Sequence, residues 1–112
     1  MQGKAHEKFL RIAPRKVRQV AELIRGKNAD EAITLLRFTR KSASLHLEKA
    51  IHSAVANLMY LYPETEREKV VIRSVCIDGG PTLKRGRAAS MGRRSMIRKR
   101  TSHITVTVEE VK

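Results

Sequence analysis

Between residues 79 and 108 the chain carries eight Lys or Arg side chains and not one Asp or Glu. Within it the run 79–103, GGPTLKRGRAASMGRRSMIRKRTSH, has few large apolar side chains. Such a segment cannot build a core, and its cations repel one another unless an anion is supplied. Any fold open to the chain must therefore leave this stretch outside the packed interior. The remaining charge is also segregated: residues 1–41 hold 11 basic and 4 acidic side chains, residues 42–78 hold 4 and 5, and residues 109–112 hold 1 and 2. Two basic zones thus flank a nearly neutral one, and the 112 residues together carry a net charge of +13. Nucleic acid is the usual counter-charge for a surplus of this density.

Strand signals lie on both sides of the basic run. Val70 to Asp78 is rich in Val and Ile, which suits β structure. Ile104 to Glu109 alternates, with Ile104, Val106 and Val108 on one side and Thr105 and Thr107 on the other. The basic run is then either a disordered loop or the far part of a long hairpin. The flanking strands, natural antiparallel neighbours, favour the hairpin. A symmetric hairpin over 70–108 turns near residue 89, and arms of roughly 19 residues reach about 60 Å. A lone two-stranded ribbon is marginal in water and needs partners to hold its shape. Lys84, Arg85, Arg87, Arg93, Arg94, Arg98, Lys99 and Arg100 are its candidate phosphate contacts, with arginine dominant six to two. Arginine favours bidentate phosphate contacts. The tip, Gly86 to Gly92, is small apart from Arg87 and Met91. No aromatic follows Tyr62, so recognition along the hairpin rests on phosphates, 2′-hydroxyls and shape rather than base stacking.

The first half reads as helical. Lys4 to Ile12 is extended, and Ala13 before Pro14 is biased away from helix. From Pro14 to Arg25, residues Val17, Val20, Ala21 and Ile24 form one apolar stripe, and Gly26 ends the helix. Asn28 caps a second helix that stops near Phe38 or Thr39. A third runs from about Arg40 to Leu61, with Ala43, Leu47, Ala50, Ile51, Ala54, Leu58 and Leu61 as its apolar series, and Pro63 closes it. Glu64 to Glu68 form a solvated acidic loop. With 41% hydrophobic residues and no Trp, the core is built from aliphatics and Ala.

Catalytic and metal chemistry find no foothold. The histidines His6, His46, His52 and His103 lack metal-ligand spacing, and no cofactor motif appears. The single cysteine, Cys76, cannot form an internal disulfide; its mid-strand position suits a small buried residue. The N-terminus lacks an apolar signal core and no run is long enough to span a membrane, so a cytoplasmic protein is expected. One rival outline is a winged-helix DNA-binding regulator, since three helices and a basic hairpin fit it. Against it stand the length of the wing and the apolar, Ala-rich third helix. A nuclease lacks its carboxylate or His cluster.

Four runs carry a family resemblance. RKVRQVAELIRGK (Arg15 to Lys27), SAVANL (Ser53 to Leu58), DGGPTLKR (Asp78 to Arg85) and KRTSHITV (Lys99 to Val106) resemble, in order, the first helix, the long helix, the hairpin entry and the return strand of the bacterial large-subunit ribosomal protein family numbered twenty-two. The resemblance implies an α+β fold: three helices on a three-stranded antiparallel sheet, with a long basic β-hairpin extension. It implies one domain over 1–112, with a body of 1–78 and 101–112 and a hairpin of 79–100. The body would sit near the peptide exit of the large ribosomal subunit and the hairpin would thread ribosomal RNA. The tip, Gly86, Arg87, Ala88, Ala89, Ser90, Met91 and Gly92, would reach the nascent-peptide tunnel, where changes in the family can confer macrolide resistance. Early binding during subunit assembly follows too. Expected partners are large-subunit ribosomal RNA, neighbouring ribosomal proteins and the nascent peptide, with no membrane, metal, cofactor or homo-oligomer.

By position, Lys84 and Arg85 match the family's basic pair after Gly-Pro, and Gly92 and Arg93 its Gly-Arg after the tip. Arg98, Lys99, Arg100, Thr101, Ser102 and His103 match its basic return stretch. Arg11, Arg15, Lys16 and Arg18 complete the expected RNA contacts. The tip departs from the Pro-Arg that relatives often carry, and Ala13 stands where a capping Ser is common.

Overall fold

The computed structural model describes residues 2–88 and 94–111, with 83–88 and 94–99 described through their backbone pairing. The first strand, β1 (Gln2–Leu10), leads into α1 (Pro14–Ala21), α2 (Ala29–Phe38) and α3 (Ser42–Leu61). A short 3-10 turn, Arg67–Lys69, precedes β2 (Val70–Gly79). The ribbon strands β3 (Leu83–Ala88) and β4 (Arg94–Lys99) follow, and β5 (Ser102–Glu110) closes the body. The body sheet has the order β1-β5-β2, all antiparallel, and the ribbon is a separate two-stranded sheet.

The alternation in β5 places Ile104, Val106 and Val108 in the core, each fully buried. They meet the buried stripe of α3, built around Leu47, Ile51, Ala54, Val55 and Leu58, in one cluster with α1 and α2. Close approach of α3 to β1 depends on Gly3: a Cβ there would lie 2.5 Å from the Ala54 carbonyl oxygen. Leu61, expected on the apolar face of α3, is exposed, because it lies in the last turn beyond the sheet.

Two further expectations need correction. The first helix ends at Ala21 rather than Arg25. Residues 22–27 form turns held by Leu23 N–H to Val20 O and Ile24 N–H to Ala21 O, and Ile24 still enters the core. The cause is tertiary: Gly26 (φ +76°) donates to the Ile72 carbonyl and Ile72 donates back to Lys27, so the chain is drawn onto β2. Cys76 is exposed, not buried. A bulge between Ile72 and Ser74 reverses the parity of β2, so Val70, Ile72, Val75 and Ile77 face inward and Cys76 outward. The turn expected near residue 89 lies outside the described residues; the innermost described pair of the ribbon is Ala88 with Arg94. Slips at Arg73 and at the Pro81 junction each add a residue to the outgoing arm.

The N-cap of α2 is as expected, with Asn28 Oδ1 accepting from Asp30 N–H at 2.9 Å. On β1 the register slips between Glu7 and Leu10, and Phe9 adopts φ +59°. A left-handed non-glycine residue costs roughly 1–2 kcal/mol. The whole is long: 65 × 26 × 15 Å, with a radius of gyration of 17.2 Å. A compact chain of this length has about 13 Å.

Candidate nucleic-acid interface

Where the ribbon leaves the body, the start of α1, the end of β2 and the return arm enclose a groove of about 540 Å³. Arg15, Arg18 and Arg100 line it with Pro14, Gly79, Gly80, Thr82 and Thr101. Pro14 begins α1 after Ala13, whose side chain makes no capping bond. Pro14 has no N–H and the Lys16 N–H donates to the Ala13 carbonyl, so the Arg15 amide and the helix dipole add the partial positive charge beside the three guanidinium groups. An anion is the natural occupant of such a groove.

The root of the ribbon is tied by hydrogen bonds. Gly80 N–H donates to the Thr101 carbonyl at 2.9 Å, and Thr101 Oγ1 donates to the Pro81 carbonyl at 2.6 Å. Ser102 Oγ donates to the Ile12 carbonyl. Gly80 is sterically required, since a Cβ would come within 2.4 Å of Thr101 Oγ1. Thr101 and Ser102, expected as RNA contacts, are buried with both hydroxyls spent on the protein's own backbone. They hold the root instead of presenting donors to a ligand. This anchoring role, and that of Gly80, Pro81 and Ile12, was not read from the sequence, although Gly79-Gly80-Pro81 marks a junction.

Arg18 has a double position. Its Nη2 donates to the Ile77 carbonyl at 2.9 Å, and Arg25 Nη2 donates to the Val75 carbonyl at 3.0 Å. These bonds satisfy outward carbonyls on β2, an edge strand. The rest of the Arg18 guanidinium borders the groove.

Ion pairing separates the cations into two groups. Arg37 pairs with Glu48 (2.6 Å), Arg67 with Asp30 (3.1 Å), Lys69 with Glu66 (3.2 Å), and Arg73 with Glu109. Among the described residues, no acidic partner is found for Arg11, Arg15, Lys16, Arg18 or Arg100, all of them exposed. Lys4, Lys8, Lys27, Arg40, Lys41 and Lys49 are likewise without an acidic partner among the described residues, but Arg15, Arg18 and Arg100 converge on one groove, where an external anion can meet all three.

On the ribbon, Leu83 is paired with Lys99, Lys84 with Arg98, Arg85 with Ile97, Gly86 with Met96 and Arg87 with Ser95. Ala88 pairs with Arg94, while Ala89, Ser90, Met91, Gly92 and Arg93 lie outside the described residues. The histidines are dispersed: His46 Nδ1 lies 3.0 Å from Glu7 Oε1, His6 Nδ1 3.1 Å from Thr105 Oγ1, and His52 3.8 Å from Glu48. His103 Nδ1 accepts from Phe9 N–H at 3.1 Å. No helix of the described residues is long and apolar enough to cross a membrane.

Comparison with known proteins agrees with this architecture. Residues 5–109 match the family described as ribosomal protein L22p/L17e. Two curated relatives, each named large ribosomal subunit protein uL22, come from Desulfitobacterium hafniense. That of strain Y51 is 50% identical over 111 residues, covering 99% of this chain and 96% of the relative. That of strain DSM 10664 / DCB-2 is 49% identical with the same coverage. With nearly the whole length matched, and three helices beside a three-stranded antiparallel sheet as the resemblance implied, the chain belongs to the L22p/L17e family of ribosomal proteins.

Proposed function

We propose that the chain is a structural component of the large ribosomal subunit that binds its ribosomal RNA through the ribbon and the groove at its root. The observation that carries this reading is the distribution of the charges: every acid of the chain lies in the body, and the ribbon, with eight cations, has none. Lys84, Arg85, Arg87, Arg93, Arg94, Arg98, Lys99 and Arg100 are the ribbon contacts; Arg11, Arg15, Lys16 and Arg18 serve at the root.

The domain is single, with residues 79–100 as its extension. The tip, residues 86–92, lines the nascent-peptide tunnel, and early binding helps order the RNA during assembly; neighbouring ribosomal proteins and the nascent peptide complete the partners. The role is architectural rather than enzymatic. The winged-helix alternative loses ground on α3, whose exposed positions include Leu45, Ser53, Ala56 and Tyr60, a poor surface for a DNA groove. The test is sedimentation of the tagged chain from cell extract at rising salt. It should travel with the large subunit, and the free chain should bind large-subunit RNA with log affinity falling about 0.7–0.9 per phosphate contact for each unit of log salt. Absence from that particle, or salt-insensitive binding, defeats the proposal.

A further inference from the structure

We propose that Phe9, backed by His103, is a stacking platform for an unpaired RNA base at the root of the ribbon. The inference rests on the RNA-binding reading above and adds a contact of a different kind. Between the pairs Glu7↔Ile104 and Leu10↔Ser102, β1 places two residues, Lys8 and Phe9, where β5 has only His103. Phe9 takes up the extra length in a left-handed conformation, φ +59°. A glycine or asparagine would serve that backbone with less strain. The strain does not bury the ring: Phe9 is 62% exposed, whereas Leu10 beside it is 7% exposed. A bulge of this kind re-aims a side chain away from its strand.

The ring is held as well as exposed. Phe9 N–H donates to His103 Nδ1 at 3.1 Å, and the two rings meet edge to face at 90° with centroids 5.0 Å apart. With Nδ1 accepting, the neutral imidazole carries its proton on Nε2 and keeps a donor. Gly80 packs against the same imidazole, where a Cβ would lie 3.1 Å from His103 Cε1. The platform is therefore fastened to the junction from which the ribbon departs. Lys8 and Arg11 flank it, exposed, and Asp78 is the acid in register with His103 on β2.

A single aromatic face amid cations lacks the contiguous apolar area of a protein-docking patch. It does have the two parts of a nucleotide site, a π surface for the base and cations for the phosphates. The full-length chain and its Phe9→Leu, Phe9→Trp and Phe9→Gly variants should be titrated against a large-subunit ribosomal RNA transcript. Phe9→Leu and Phe9→Gly should each weaken binding about ten-fold, the lower range for loss of one base stack, and Phe9→Trp should restore it. Phe9→Gly should melt no lower than the parent, because it relieves the backbone; this separates a lost contact from a damaged fold. Ultraviolet irradiation of the parent complex should cross-link residue 9 to a base. Parent-like binding by Phe9→Leu, or no cross-link at residue 9, overturns the inference and leaves RNA binding by the ribbon intact. So does a defect that emerges only when a second ribosomal protein is added, which marks the ring as a protein contact. Failure of the parent chain itself to bind the transcript overturns the underlying reading as well.

Discussion

β4 and β5 are separated by two residues, Arg100 and Thr101, and both pair antiparallel with their neighbours, yet they belong to different kinds of structure. β5 is the central strand of the body, and Ile104, Val106 and Val108 bury one of its faces completely. β4, with the sequence RSMIRK, pairs only with β3 in a two-stranded sheet. The ladder of backbone bonds is common to both, so the ladder cannot be what distinguishes them. What differs is the material against which a face can pack. The body supplies its own, from the aliphatic stripe of α3; the ribbon's sequence offers charge instead, and under the proposed function RNA provides its surroundings.

Four perturbations can break or sharpen this contrast. The largest effect is expected from converting Lys84, Arg85, Arg87, Arg94, Arg98 and Lys99 together to Gln. RNA affinity at low salt should fall about a thousand-fold and the salt slope should flatten by roughly 4–5, while the thermal midpoint of the body stays put. Salt-dependent filter binding and calorimetry read the two quantities separately, and a midpoint that drops alongside affinity would erase the distinction. Next, Leu47→Ala in the core should cost about 2–5 kcal/mol in denaturant unfolding. The salt slope of whatever fraction remains folded should be unchanged. Third, Ser102→Ala removes the donor to the Ile12 carbonyl. A loss of about 1–2 kcal/mol is expected, with faster amide exchange at Gly80, whose N–H is bonded to Thr101. Smallest of all, deletion of residues 86–92 should alter body stability by no more than about 0.5 kcal/mol, since the sequence GRAASMG offers almost no large apolar side chain to a core. A loss of cooperative melting on that deletion would show the ribbon to be part of the folding unit.

Much of this was legible in the residues because it is local. Asn28 ahead of an acidic first turn announces a cap, the alternation from Ile104 to Val108 announces a half-buried strand, and a basic run without acids announces an extension. The family runs added the three-stranded antiparallel sheet. The misreadings share another cause. The end of α1 depends on a pairing between Gly26, Lys27 and Ile72, distant in sequence. The outward turn of Cys76 depends on a one-residue bulge in β2, which no periodicity records. Thr101 and Ser102 sit inside a basic stretch and read as ligands, but the carbonyls they serve belong to Pro81 and Ile12. Polar residues next to arginines reveal their role only when the fold shows which way they face. The bulge at Phe9 falls under the same heading.

The tied junction at Gly80, Thr101 and Ser102 has a mechanical meaning. Ala88, the last described position of the outgoing arm, lies eight residues beyond Gly80, a lever of roughly 26 Å. A tilt of about 10° at the fulcrum would carry Ala88 sideways by roughly 5 Å, about the spacing between neighbouring strands. Three hydrogen bonds at the pivot therefore set the aim of the whole arm.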